Sequence, residues 1–594
     1  MLKKFFITVL GTMAGFWISA GIAIAIGLII LFSLLGSSVD DIVVEDNSVL
    51  HIVLKGEIPE RGEKLTFENV IRDGIDSNSS LEEIMTALRL ASSDPKISCV
   101  YLDCDGSALG VASRQELLQA LEEFKKSGKK VYAYADTYDQ GDYFVATAAD
   151  EINLNPMGSI NLHGISTVTP FFKDLLDRLG VKVQIVKVGT FKSAVEPFVL
   201  NSMSEPARLQ TRTFVDSIWS DMTETIAQNR NIVVDSVRIL ATQMLMARRA
   251  EYILDAGLAD NLTNRHDMEQ KLREASGLGA DEDLRLVSPA DYIAYSKSTP
   301  MFSDELQSKP HIAVLYAVGD IVDDGDGGIV GRVMAPEIYE LADDDNVKGL
   351  VLRVNSGGGS AFASEQIWSA LEYFKAKDKP FYVSMGDYAA SGGYYISCGA
   401  DRIFADATTL TGSIGVFGMI PDLSGLVTDK FGIHFTTIES NPNASGINIM
   451  GPMNEYQLAA MQASVEDIYD TFTSRVAQGR DMPVEDVREI AEGRVWVGSE
   501  ALRLGLVDDL GTLNDAVEAI SSELGMNPGD VVNYPVVEDD FFARLLRDNM
   551  TSGSVESALS VSGLDLETYR LLKFVSRLKN MNPVQARMEE TTVR

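Results

Sequence analysis

The chain says the same thing twice, and the two statements are unequal. Val131-Tyr-Ala-Tyr-Ala-Asp-Thr-Tyr-Asp-Gln140-Gly-Asp-Tyr143 returns as Phe381-Tyr-Val-Ser-Met-Gly-Asp-Tyr-Ala-Ala-Ser391-Gly-Gly-Tyr394, an offset of 251 from Tyr143 to Tyr394. Such a chain must fold as two related units. The second copy sets a small hydroxyl, Ser391, ahead of Gly392-Gly393, whereas the first has Gln140 in the same turn, a side chain with no nucleophilic atom. A single active site shared between matched halves would leave this asymmetry.

The repeat extends in both directions. Ser48-Val-Leu-His-Ile-Val-Leu-Lys-Gly-Glu-Ile58 matches His311-Ile-Ala-Val-Leu-Tyr-Ala-Val-Gly-Asp-Ile321, and both read as buried opening strands. Leu81, Ile84, Met85 and Leu88 recur at helical spacing behind the potential caps Ser79 and Ser80. Strands at 97–102 and 349–354 lead into Asp105-Gly106-Ser107 and Asn355-Ser356-Gly357-Gly358-Gly359-Ser360, followed by helices at 112–124 and 363–374. Later, Ile226-Ala-Gln-Asn-Arg230 answers Val476-Ala-Gln-Gly-Arg480, and Ala256-Gly-Leu-Ala-Asp260 answers Leu504-Gly-Leu-Val-Asp508. Alternating strand and helix with short Gly-rich links predicts an α/β fold. Its mostly parallel sheets should be covered by helices, with ligands at the carboxyl ends of the strands. The polar stretch 296–309, which contains Pro300 and is followed by Pro310, divides a first repeat at 48–300 from a second at 301–540. A tail, 541–594, has no counterpart in the first copy and includes a helical-looking segment at 566–578.

The 594 residues carry 51 basic and 86 acidic side chains, a formal charge of -35, and a surface so acidic repels phosphates and argues against nucleic acid. Cys99, Cys104 and Cys398 are too few for a disulfide framework and read as interior packing. Lys3 and Lys4 precede an uncharged run at 5–35, whose apolar part at 16–35 would span roughly 30 Å as a helix. A cleavable leader has an apolar region of only about 7–15 residues. Residues 1–47 are therefore expected to be a cytoplasmic stub, an uncleaved transmembrane signal anchor and a linker, with the lysines inside and the repeats across the membrane.

No Gly-x-Ser-x-Gly elbow, His-Glu-x-x-His pair or Gly-x-x-x-x-Gly-Lys loop is present. Of the five histidines, His51 and His311 fall in opening strands, where packing accounts for them. Gly357-Gly358-Gly359 could bring backbone N–H groups close to a substrate, or could simply form a turn. Ser391 at a strand-to-helix turn could present its hydroxyl beside flanking amides, or could merely cap the helix.

Ala389-Ala-Ser391-Gly-Gly-Tyr-Tyr, Asn355-Ser-Gly-Gly-Gly-Ser360, Thr411-Gly-Ser413-Ile-Gly415 and Phe191-Lys192-Ser-Ala-Val-Glu-Pro197 together resemble the signal peptide peptidase A (protease IV) family in its long, duplicated, membrane-anchored form. The resemblance covers nearly all of 1–540. It implies two tandem Clp protease/crotonase-like domains and a serine protease with a Ser-Lys dyad, with no cofactor and no metal. Ser391 would be the nucleophile, Lys192 the general base, Ser413 the hydroxyl orienting the amine, and the amides of Gly358 and Gly392 the oxyanion donors. It further implies a homotetramer in a bacterial inner membrane, its catalytic domains periplasmic, degrading cleaved signal peptides and similar apolar peptides. Asn355 and Gly357 depart from the family's Asp-Ser-Pro-Gly-Gly-Ser, which is expected to loosen this loop.

Lysine normally titrates near 10.4, so acting as base near neutrality demands a shift of roughly 3 units, most simply by desolvation. Phe191, Ala194, Val195, Pro197 and Phe198 give Lys192 apolar neighbours, although Lys182 and Lys187 show that lysine here can also be surface charge. Direct alignment of the copies sets Asn443 opposite Lys192, so neither half holds both groups and they should meet between domains. A crotonase-like acyl-CoA enzyme and a catalytically silent membrane scaffold are the alternatives; placement outside the cytosol argues against the first.

Overall fold

His311–Val318 is buried along almost its entire length, which a strand achieves only in a sheet covered on both faces. The computed structural model describes residues 43–62, 79–279, 281–298, 308–325, 327–535 and 584–588. The expected membrane anchor, the helical-looking segment at 566–578 and most of the inter-repeat stretch lie outside them. Among the described residues no helix is long and apolar enough to cross a membrane.

The first half contributes strands β1 (Ser48–Gly56), β2 (Ile97–Ser107), β3 (Lys130–Ala135), β4 (Glu151–Leu154), β5 (Lys182–Val188), β6 (Asn261–Leu262) and β7 (Leu286–Val287). All but β5 form one parallel sheet, ordered β6-β4-β3-β2-β1-β7. The second half contributes β8 (His311–Val318), β9 (Val347–Ser356), β10 (Gly358–Ser360), β11 (Phe381–Ala390), β12 (Arg402–Ala405), β13 (Leu410–Gly412), β14 (Val416–Asp422), β15 (Val495–Val497), β16 (Asp509–Leu510), β17 (Val531–Tyr534) and β18 (Val584–Arg587). Its parallel path β16-β12-β11-β9-β8-β17 is the first sheet over again, with β13 and β15 added on the edge of β11.

The repeated residues repeat their work. Tyr143 Oη donates to the Leu258 carbonyl at 2.9 Å, and Tyr394 Oη to that of Leu506 at 2.8 Å. Arg230 pairs with Asp260, which accepts from Ile152 N, just as Arg480 pairs with Asp508, which accepts from Ile403 N. Ser80 caps helix α1 (Leu81–Ser93) in a reciprocal box with Glu83. Helices α2 (Val111–Lys125) and α3 (Gln140–Ala146) follow in the first half. All three cysteines are buried and unpaired.

The halves are not separate. β5 leaves its own sheet to run antiparallel to β14, and Val186 packs in the apolar core of the second half. Arg353 of β9 is buried between two carboxylates of the first half, Glu60 at 2.6 Å and Glu116 at 2.6 Å. Burial pushes the Glu116 carboxyl up while the guanidinium pulls it down. Asp387 accepts from Ser113 N at 3.1 Å and Ser113 Oγ at 2.6 Å.

Asn355 sits among these charges. Its Nδ2 donates to Glu60 Oε2 at 3.0 Å and lies 3.5 Å from Asp387 Oδ2, while its Oδ1 accepts from Tyr388 N at 3.2 Å. An amide is thus suited to this position: an aspartate would set a third carboxylate between two others with no hydrogen to offer. Nor is the loop after it loosened, because Gly359 pairs with Ile321 and Ser360 Oγ accepts from Ala363 N at 3.2 Å. Asn355→Asp should lower stability by about 1–3 kcal/mol. Thermal unfolding should show the deficit at neutral pH and its relief as acid protonates the cluster; equal melting of variant and parent across that range would refute this role.

Candidate active site

Two backbone oddities mark the centre. Ser391 joins β11 to helix α4 (Gly392–Ser397) with φ 56° and ψ −113°, and Ser413, just past β13, has φ 49°. A residue with a Cβ does not settle there unaided. Neighbouring carbonyls hold both in place: Ser391 N donates to Gly412 O at 2.8 Å and Ser413 N to Arg494 O at 2.7 Å.

Lys192 arrives from the other half on the loop after β5. Thr190 N donates to Glu492 Oε2 at 2.8 Å and Phe191 N to Glu492 O at 2.8 Å. The Arg494 guanidinium lies over the Phe191 ring, 5.1 Å from its centroid. At Gly493, φ is +73° and an added Cβ would come within 2.7 Å of Lys192 Cβ, so only glycine lets the chains meet this closely. Gln210, on helix α5 (Glu205–Arg230), donates through Nε2 to Phe191 O at 3.2 Å and Ser193 Oγ at 3.0 Å, and accepts from Val495 N at 3.2 Å.

The result is a buried amine 2.7 Å from Ser391 Oγ, 3.1 Å from Ser413 O and 3.1 Å from Ser413 Oγ. Lys192 and Ser413 are 1% exposed and Ser391 0%, and among the described residues no carboxylate forms an ion pair with the amine. Desolvation with nothing to offset it holds the Lys192 amine well below its usual range. An uncharged amine carries two hydrogens and one lone pair. The two hydrogens suit the two Ser413 oxygens, leaving the lone pair for the Ser391 hydroxyl.

The other expected residues fall around this centre. Gly392 opens its helix, so its amide has no partner within it. The Gly358 amide donates to Ser356 Oγ at 3.1 Å. At the position of Ser391 in the first half, Gln140 accepts from His163 N and Gly164 N and donates to Gly164 O, a purely structural use. Asn443 lies instead on a largely exposed loop, its Oδ1 accepting from Asn454 Nδ2 at 2.7 Å, so the linear alignment with Lys192 matches no common position. Glu492, Gly493 and Gln210 escaped sequence reading. Gln210 left a trace, a polar residue on the buried stripe of Ala207, Phe214 and Ile218; Glu492 and Gly493 left none.

A family model described as Peptidase family S49 matches the chain twice, at residues 123–279 and 373–527. The chain belongs to peptidase family S49. Protease 4 of Haemophilus influenzae is 35% identical over 515 residues, 84% of this chain and 83% of its own. A putative signal peptide peptidase SppA of Enterococcus faecium is 34% identical over 237 residues, 39% of this chain and 69% of its own. A ClpP1 mutant of Listeria monocytogenes aligns with 34% of this chain and 93% of its own at 13% identity and a TM-score of 0.24, too slight a likeness to bear on the fold. The duplication is thus a doubled S49 unit, and the protein is a serine protease.

Burial of this amine has a pH signature. Below pH 10.5 the unfolded chain protonates Lys192 while the folded chain does not, until its own much lower pKa is reached. Stability is therefore drained as pH falls through that window and restored towards 10.5. Lys192→Met should gain thermal stability relative to the parent at neutral pH, and the difference should shrink as pH rises to 10.5. A difference in Tm that stays constant with pH would sink the neutral-amine assignment.

Proposed function

We propose that Ser391 is the nucleophile of this serine protease, Lys192 its general base and Ser413 the residue that orients the amine. The observation that carries this reading is the 2.7 Å approach of a desolvated lysine to a strained serine. As Oγ attacks a substrate carbonyl its proton passes to Nζ, and the amides of Gly358 and Gly392 receive the oxyanion. Rotation of Ser356 Oγ would release the first of those donors. The lysine then returns the proton to the leaving amine, and water cleaves the acyl-serine ester.

The substrates in this reading are cleaved signal peptides and similar apolar peptides. An apolar recess lined by Phe191, Phe214, Leu410 and Val495 beside Lys192 supports it, as does the name carried by the Enterococcus faecium relative. Each half is taken as a Clp protease/crotonase-like unit. The run at 5–35 would anchor the chain in a bacterial inner membrane with both units on the periplasmic side. Four copies would assemble there; Phe431, Ile433, Phe435 and Ile438 are exposed on one loop and call for such cover.

A synthetic apolar signal peptide tests the chemistry. Lys192→Ala should lower kcat by about 10²–10⁴-fold and Ser391→Ala at least as much, with folding intact by circular dichroism. Near-parental turnover by either variant would end the dyad assignment.

A further inference from the structure

Helix α5 packs Phe214 and Ile218 against Leu410 and Val495 of the second half, and Gln210 interrupts that apolar stripe one turn earlier. It is 4% exposed and lines the recess beside Lys192. A polar group so placed costs free energy unless its hydrogen bonds are made. All are made here, and the partners fix which way round the amide sits, since Phe191 O can only accept and Val495 N can only donate. The two hydrogens of Nε2 go to Phe191 O and Ser193 Oγ, on the residue before Lys192 and the residue after it.

The oxygen of the same amide reaches the other half. Val495 stands opposite Gly412 in the pairing of β15 with β13, and Gly412 O receives Ser391 N at 2.8 Å. Arg494, one residue before Val495, gives its carbonyl to Ser413 N at 2.7 Å. One side chain therefore links both neighbours of the lysine to the strand pair that holds Ser391 and Ser413. Its helix is tied to the lysine segment as well, because the cap Ser204 donates to Glu196 through N at 2.9 Å and Oγ at 2.6 Å. Glu492 also grips the lysine loop, through Thr190, but at the surface, where water can replace a lost hydrogen bond. At Gln210 the bonds to Ser193 Oγ and Val495 N are buried. Removing the amide would leave the Val495 N–H unmatched.

We propose that Gln210 is a positioning residue for the reaction, its amide setting Lys192 against Ser391 and holding the loop closed enough to keep water from the amine. This rests on Lys192 being the general base. A carboxylate would not serve in its place, since ionised glutamate has no hydrogen to donate and would set a negative charge in the recess of an amine that works uncharged. Without the amide, Nζ would drift from Ser391 Oγ and meet water. Burial is what holds this amine low, so hydration would return it towards its usual range.

Gln210→Met keeps an unbranched side chain in the recess and removes all three hydrogen bonds. Against the synthetic apolar signal peptide it should lower kcat by about 10- to 100-fold while KM stays within about twofold, because the base is displaced and the apolar lining is not. The acid limb of kcat/KM against pH should also move up, by about half a unit or more. Ser193→Ala removes one of the three bonds and should shift both quantities the same way by less; in the Gln210→Met background its effect should be smaller than in the parent. A parental kcat in Gln210→Met, or a loss of kcat that follows the folded fraction with the acid limb unmoved, overturns the positioning role. Should Gln210→Met fail to fold, Ser193→Ala decides alone, and a parental kcat with an unmoved limb overturns it. Lys192→Ala, measured beside them, separates the two assignments. If it keeps near-parental turnover the base itself is lost, whereas an inert Lys192→Ala beside a parental Gln210→Met removes this inference only.

Discussion

The structure depends on keeping one amine out of water. Burial under the second half, with no carboxylate among the described residues paired to it, holds the Lys192 amine well below its usual range. Its loop comes from the first half, but the hydrogen-bond partners of the amine, Ser391 and Ser413, come from the second, as do the close approaches of Gly493 and Gly415 to the lysine stem. The amine is therefore desolvated only when the halves are joined. This gives the ion cluster of Arg353, Glu60 and Glu116 its importance, since a buried ion pair adds little net stability but strongly disfavours separation of its partners.

Duplication explains how such a joint arises. Two copies of one six-strand sheet keep the scaffold residues in step, Tyr143 with Tyr394 and Arg230–Asp260 with Arg480–Asp508, because each holds a late segment to its own sheet. Residues bearing chemistry are free to diverge. Gln140 uses its amide to tie down the 163–164 turn where Ser391 holds a hydroxyl under strain, and the segment after β14 is largely exposed where the first copy supplies β5 and the lysine.

Much of this is legible in one sequence, for physical reasons. Strand runs such as His311–Val318 and the helix behind Ser80 follow from local patterning and capping, and the polar asymmetry at 140 and 391 points to a shared site. The positions of Lys192 and Ser413 become readable only through the family motifs, since a lysine among apolar residues looks the same whether buried or exposed until its cover is known. Gly493 and Glu492 stayed hidden because their roles lie in contacts across some three hundred residues of sequence. Alignment by register erred at Asn443 because β5 leaves its own unit, which a linear comparison of copies does not reveal.

The tail strand was least legible. Val584–Arg587, four residues of no marked strand pattern, take their place by backbone pairing with β10 on one side and β14 on the other, strands far earlier in the chain. The Met588 side chain enters the recess beside Lys192 and Ser413. A segment held in this way is fixed by strands distant in sequence and by one apolar contact, neither of which local patterning encodes.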